Sequence, residues 1–197
     1  MAKTLLEMGG ADLTPPKFSE ATLILIDAQR EYVDGALPLP GVKPALQNIA
    51  WLLEAAREAG APVVHVQHRG RPGALFDPEK TAFHLADEAA AKEGERIVQK
   101  GLPNGFAGTN LKEALDVIGR KRLVIAGFMT HMCVSSTARA ALDFGFQTTV
   151  VADACATRDL PRPGGKGVIA ASDLHAAELA ALADRFSIVA TTAELVG

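Results

Sequence analysis

Cysteine is scarce in this chain. Only Cys133 and Cys155 occur in 197 residues, 22 positions apart on what read as separate elements. That spacing does not describe a disulfide framework, so reduced thiols are the default. Long apolar runs are also missing. None approaches the roughly 20 residues that a membrane-spanning helix needs, and the N-terminal stretch MAKTLLEMGGADLTPPKF has no apolar signal core. A cytoplasmic protein without membrane contact is expected. Nor is there a stripe of Lys or Arg. With 20 basic against 23 acidic residues and a formal net charge of −3, the chain carries no electrostatic footprint for a phosphate backbone, and nucleic acid is not an expected partner. Finally, LILID at 23–27 is followed by AQREY rather than by a glycine-rich turn, so no pyrophosphate could approach the next helix. No cofactor is therefore expected.

What the chain does have is apolar content, 48% of its residues, arranged in short runs that alternate with helical patterns. Ala21–Asp27, Pro62–Gln67, Arg96–Gln99, Leu123–Gly127, Gln147–Val151 and Ser187–Ala190 read as strands. They do not alternate polar with apolar, which marks strands covered on both faces. Between them lie helical patterns at Pro44–Ala59, Thr109–Ile118, Cys133–Phe144 and Val168–Arg185. Gly60, Gly119 and Gly145 stand just past the first three, in the position of left-handed helix caps. Trp51 has the spacing of a core-facing helix position. The expected architecture is a three-layer, doubly wound α/β fold with a mostly parallel six-stranded sheet, in one domain over residues 21–197 behind an extended arm at 1–20. Residues 70–94 are irregular and contain Arg-Pro-Gly and Asp-Pro breakers. A connection this long suits a lid, a binding loop or a subunit contact.

Ligands of doubly wound sheets bind beyond the carboxyl ends of the strands. Three chemically capable residues fall there: Asp27 after the first strand, Lys100 after the third and Cys133 after the fourth. A cation and a helix N-terminus both favour a thiolate, a carboxylate can carry its proton, and backbone amides at the turn can hold an oxyanion. Singly, each has a plainer reading: Asp27 as a helix cap, Lys100 as a solvated loop residue, Cys133 as a small buried hydrophobe. Their meeting at one rim is what suggests acyl transfer. His65 and His68 lie on opposite faces of a strand, an arrangement unsuited to a shared metal ion.

These residues resemble the isochorismatase-like cysteine hydrolases, a family that includes nicotinamidases and N-carbamoylsarcosine amidohydrolases. The matching pieces are LILIDAQREY, QKGLPNGFAGTNL and VIAGFMTHMCVSSTARAALDFGFQTTVVADACAT, in that order. The resemblance implies sheet order 3-2-1-4-5-6 and a catalytic triad of Asp27, Lys100 and Cys133. It also implies a cis peptide at Phe128–Met129 and an oxyanion hole made by the Met129 and Cys133 amides. Gln29, Tyr32, His68, Phe106 and His131 are candidates for the substrate pocket, with core packing the plainer reading of Phe106 and a cap of the turn that of His131. No Asp-x-His pair occurs, so the nicotinamidase metal site is not expected here. A small-molecule substrate and a homo-oligomer follow by analogy. Keeping Cys133 favours cleavage of an amide-type C–N bond over isochorismatase-type cleavage of a vinyl ether, and both stand against a catalytically silent binding protein of the same fold.

Overall fold

A computed structural model describes residues 2–197. In chain order the elements are α1 Leu5–Met8, β1 Ala21–Ile26, α2 Val42–Glu58, β2 Val63–His68, β3 Arg96–Lys100, α3 Leu111–Ile118, β4 Arg122–Phe128, α4 Ser135–Asp143, β5 Gln147–Ala156, β6 Leu160–Pro161, β7 Val168–Ile169, α5 Ala171–Arg185, β8 Ser187–Ala190 and α6 Ala193–Val196. Six strands form one sheet in the order β3-β2-β1-β4-β5-β8, every neighbouring pair parallel. This is the expected sheet. Its last strand takes a higher number only because the small antiparallel hairpin β6–β7 precedes it.

Both faces are covered, which is why the strands show no polar alternation. Leu23, Leu25, Val124 and Ala126 pack toward α2, whereas Ile24, Ile26, Val64 and Ile125 pack on the opposite side with residues of α3 and α4. Helix α2 presents Leu46, Ile49, Leu53 and Ala56 at three- and four-residue spacing. Trp51 lies off that stripe and is 50% exposed, so the core-facing placement read from its spacing is corrected: the face of α2 that the sheet covers runs through Leu46, Ile49, Leu53 and Ala56 and leaves Trp51 outside it. Gly60, Gly119 and Gly145 all take positive φ beyond their helices.

Three boundaries differ from expectation. The arm contains the one-turn helix α1, closed by a Thr4–Glu7 capping box, and the Leu5 amide donates to Asp184 of α5. Helix α5 starts at Ala171 rather than Val168, because Val168–Ile169 pairs with Leu160–Pro161 and the Asp159 carboxylate accepts the Ala171 N–H at 2.8 Å. Strand β5 continues to Ala156 through an irregularity opposite Ile125–Gly127, so that Cys155 pairs with Gly127 and Ala156 with Phe128. The irregular segment after β2 folds back over the sheet rim. It has short 3₁₀ turns at Thr81–Phe83 and Asp87–Ala89 and an isolated bridge between Leu85 and Gln29, with Phe76, Phe83, Ala86 and Ala89 buried.

Candidate active site

The carboxyl ends of β1, β3 and β4 bring Asp27, Lys100 and Cys133 together. Strand β3 stands two places from β1, so a side chain starting at Lys100 must cross two inter-strand spacings, roughly 10 Å, to meet Asp27. A long lysine stem can cover most of that distance, with the aspartate supplying the rest. The Lys100 ammonium ends 2.7 Å from Asp27 Oδ2, 3.1 Å from His68 Nδ1 and 3.3 Å from Cys133 Sγ. An ammonium has three donors; here it donates to His68 Nδ1 and Cys133 Sγ and faces Asp27 as an ion pair. The side chains of Lys100 and Asp27 are both fully buried.

Local backbone aims these groups. Asp27 takes φ +48, the left-handed region that aspartate tolerates better than most residues. Its N–H donates to Val66 and its carbonyl accepts from Gln29. Beside it, Gly127 of β4 has φ +120, and a Cβ there would stand 2.0 Å from the Ile26 carbonyl oxygen. Only glycine lets β4 close on β1 at this level. The Phe128–Met129 peptide that follows is cis. Cys133 does not open α4 as expected. It sits in a wider π-type turn, Thr130–Val134, in which the Met129 carbonyl accepts from both Met132 and Val134, and the regular helix begins at Ser135. The amides of Met129 and Cys133 lie at the start of this turn and within it.

Charge states at the site follow from burial. Burial pushes the Cys133 thiol up to about 12, the Asp27 charge pushes the same way, and Lys100 opposes both. Burial thus works against the thiolate that a lysine and a helix N-terminus favour. Asp27 is also raised by burial, against the pull of Lys100 and the neighbouring Cys133 thiol. Among the described residues, neither Asp27 oxygen has a hydrogen-bond partner of good geometry, so the 2.7 Å contact with Lys100 is chiefly electrostatic. The carboxylate keeps acceptor capacity for a proton. Burial and the Lys100 charge push His68 down to about 4, which leaves a neutral imidazole whose Nδ1 accepts from the ammonium.

The other expected contacts divide. His68 touches Lys100, and its ring lies 4.9 Å from that of Phe76. Tyr32 is buried edge-on against Phe76 and Phe128, at 5.2 and 5.7 Å between centroids. Its phenol is raised by burial and by the nearby charges of Asp27 and Cys133. His131 is half-buried, with Nδ1 against Thr157 Oγ1. Gln29 and Phe106 have protein partners. The Gln29 amide donates to the carbonyls of His68 and Phe83 and accepts the His68 N–H, so it clamps the loop to the rim instead of facing a substrate. Phe106 packs on Phe144 and Phe146, near the end of α4 remote from Cys133. His65 turns Nε2 to Glu95 at 2.9 Å, away from His68. Among the described residues no group of three His, Cys, Asp or Glu side chains has metal-binding geometry.

Sequence reasoning missed the bracing from α5. His175 Nδ1 meets Thr130 Oγ1 at 2.9 Å, and Glu178 holds Ser135 and Arg139. The three-residue spacing of His175 and Glu178 puts both on one helix face and was the available signal. One cavity of about 360 Å³ lies between the N-terminal arm and the far end of the sheet, lined by Leu6, Leu13, Arg122 and Phe186. Another, of about 280 Å³, lies on the rim side, lined by Cys155, Thr157 and His175.

Residues 21–194 match the family described as the isochorismatase domain. A secreted isochorismatase effector of Verticillium dahliae is 40% identical over 177 residues, 89% of this chain and 90% of that protein. A streptothricin hydrolase of Streptomyces noursei is 38% identical over 169 residues, 85% of this chain and 61% of its own. The crystal structure of an isochorismatase from Pseudomonas putida KT2440 superimposes with a TM-score of 0.94 at 45% identity, covering 99% of this chain and 100% of that one. No described helix is long and apolar enough to cross a membrane.

Proposed function

The chain belongs to the isochorismatase family of hydrolases, and on that premise we propose that it cleaves a small amide-type C–N bond through a Cys133 thioester. Asp27 takes the thiol proton as sulfur attacks the carbonyl carbon. Proton removal and attack are coupled because the resting thiol is neutral. The carbonyl oxygen becomes an oxyanion facing the Met129 and Cys133 amides. As the C–N bond breaks, Asp27 returns the proton to the departing nitrogen, and ammonia or an amine leaves. Water then attacks the thioester carbon, Asp27 accepts its proton, the C–S bond breaks and the sulfur is reprotonated. Lys100 holds Asp27 available as a base and places its charge beside the sulfur.

The observation that carries this reading is one ammonium touching both Asp27 and Cys133 in a buried site. The test compares ammonia release from primary amides and carbamoyl compounds by the natural protein and by Cys133→Ala, with thermal melting as a fold check. Undiminished turnover in a folded Cys133→Ala protein would refute it. Vinyl ether cleavage does not call on the thiol, and the alignment of Lys100 and Asp27 on Cys133 favours the amide reaction. We further propose a homo-oligomer and a cytoplasmic location.

A further inference from the structure

We propose that His68 is the positioning residue of Lys100 and that Phe76, from the segment after β2, holds its imidazole in place. The inference rests on the reading of Asp27, Lys100 and Cys133 as the reacting site and deepens it. In the sheet order β3-β2-β1, strand β2 separates Lys100 from Asp27, and His68 is the residue paired with Lys100 across that ladder. The lysine stem therefore has to pass His68 on its way to Asp27. A flexible four-carbon stem does not hold such a line by itself. At its end the ammonium donates to His68 Nδ1 at 3.1 Å while it contacts Asp27 and Cys133. A neutral acceptor suits this place: a carboxylate would compete with Asp27 for the charge, and an imidazolium has no lone pair to offer.

His68 is itself fixed at both backbone and ring. The Gln29 amide brackets its backbone, accepting its N–H at 2.8 Å and donating to its carbonyl at 3.0 Å. Its ring lies 4.9 Å from that of Phe76, which takes φ +57, a region that bulky side chains rarely occupy. The Phe76 N–H donates to Glu31 Oε2 at 3.0 Å, and its carbonyl accepts the Gly70 N–H. A Cβ at Gly70 would stand 1.9 Å from the Leu75 carbonyl oxygen, so this closure needs glycine. Glu31 is buried and takes the Ala36 N–H with its other oxygen. A bulky residue kept at positive φ by a buried carboxylate and a tight backbone closure is over-determined by its surroundings, and such outliers cluster where function needs them. What this one places is a ring against His68 and Tyr32. The run from Glu31 through Phe76 and His68 to Lys100 ends at the reacting sulfur.

Two readouts test this without a substrate. Nδ1 accepts from Lys100 only when the imidazole proton sits on Nε2, so nitrogen-15 spectra of the histidine-labelled protein at neutral pH should show His68 with a bare Nδ1 and a protonated Nε2. Its signals are those lost in His68→Asn. In Phe76→Ala the two signals should move toward each other as both tautomers become populated, and unmoved signals overturn the part given to Phe76. Iodoacetamide labelling of Cys133 at neutral pH reads the lysine charge at the sulfur. His68→Leu should slow it about tenfold as the cation loses its aim, and His68→Asn, which keeps an acceptor oxygen near the place of Nδ1, should recover to within about threefold of the natural rate. In a Lys100→Met background His68→Leu should change nothing further, because its effect runs through the ammonium. Melting curves establish folding, and Asp27→Asn/Lys100→Met replaces the Lys100→Met background if that one does not fold. A proton on Nδ1, labelling unchanged by His68→Leu, equal loss in the Leu and Asn variants, or equal loss with and without Lys100 overturns the positioning role and leaves the hydrolase standing. The expected spectra and labelling, with amide turnover undiminished in folded Cys133→Ala, support the positioning of Lys100 and sink the nucleophile instead.

Discussion

Lys100 and Asp27 face each other at 2.7 Å with neither side chain exposed to water. Two opposite charges taken out of solvent this way depend on each other: their attraction roughly offsets the desolvation they share, whereas either alone is a buried charge without compensation. The same pair that organises the sulfur is therefore a weak point of the fold.

Replacing Lys100 by Met should destabilise the protein by about 3–5 kcal/mol in urea unfolding. Asp27→Asn should also cost stability, and the double variant should lose less than the two single losses added. Strict additivity would mean that the pair is not coupled.

Asp27→Asn separates reactivity from catalysis. The Asp27 charge helps push the Cys133 thiol up to about 12, so removing it lowers the thiol's pKa and raises the thiolate fraction at neutral pH. Iodoacetamide labelling of Cys133, followed by peptide mass spectrometry, should speed up relative to the natural protein. Amide turnover should fall by about 10²–10⁴-fold with loss of the proton carrier. In the natural protein, labelling should keep rising with pH past about 8.5, where an ordinary cysteine levels off. A plateau at that pH would show that burial does not hold the thiol protonated.

Glu95 should shape the acid limb of stability. Burial pushes its carboxyl up, but Arg57, the Lys92 N–H and His65 outweigh that and hold it down at about 2. Since the unfolded chain binds this proton at about 4.3, the contribution is complete above that pH and disappears as pH falls toward about 2. Solvent screening limits it to about 1 kcal/mol or less. Glu95→Gln should flatten the dependence of unfolding free energy on pH in that window, and an unchanged slope would contradict the assignment.

Gln29→Leu should release the segment after β2. The amide satisfies the carbonyls of His68 and Phe83 and the His68 N–H, and orphaning such groups costs about 1–3 kcal/mol. Gln67 also donates to the Phe83 carbonyl and partly compensates. Hydrogen exchange should accelerate around residues 70–90 more than in β1 or β4. A uniform acceleration would indicate global destabilisation instead.

Much of this molecule was determined by local sequence. Unbroken apolar runs require strands covered on both faces, glycines such as Gly119 end helices, and strand ends set Asp27, Lys100 and Cys133 on one rim, because these depend on short-range periodicity and on the handed winding of a parallel sheet. Tertiary structure alone decided the rest. Trp51 faces water because the sheet covers a different stripe of α2, and Gln29 is occupied by backbone groups 39 and 54 residues away. Burial, which no spacing reports, pushes the Cys133 thiol up against the pull of a neighbouring cation. Charge and desolvation are sums over all neighbours in space, and the chain specifies those neighbours only after it has folded.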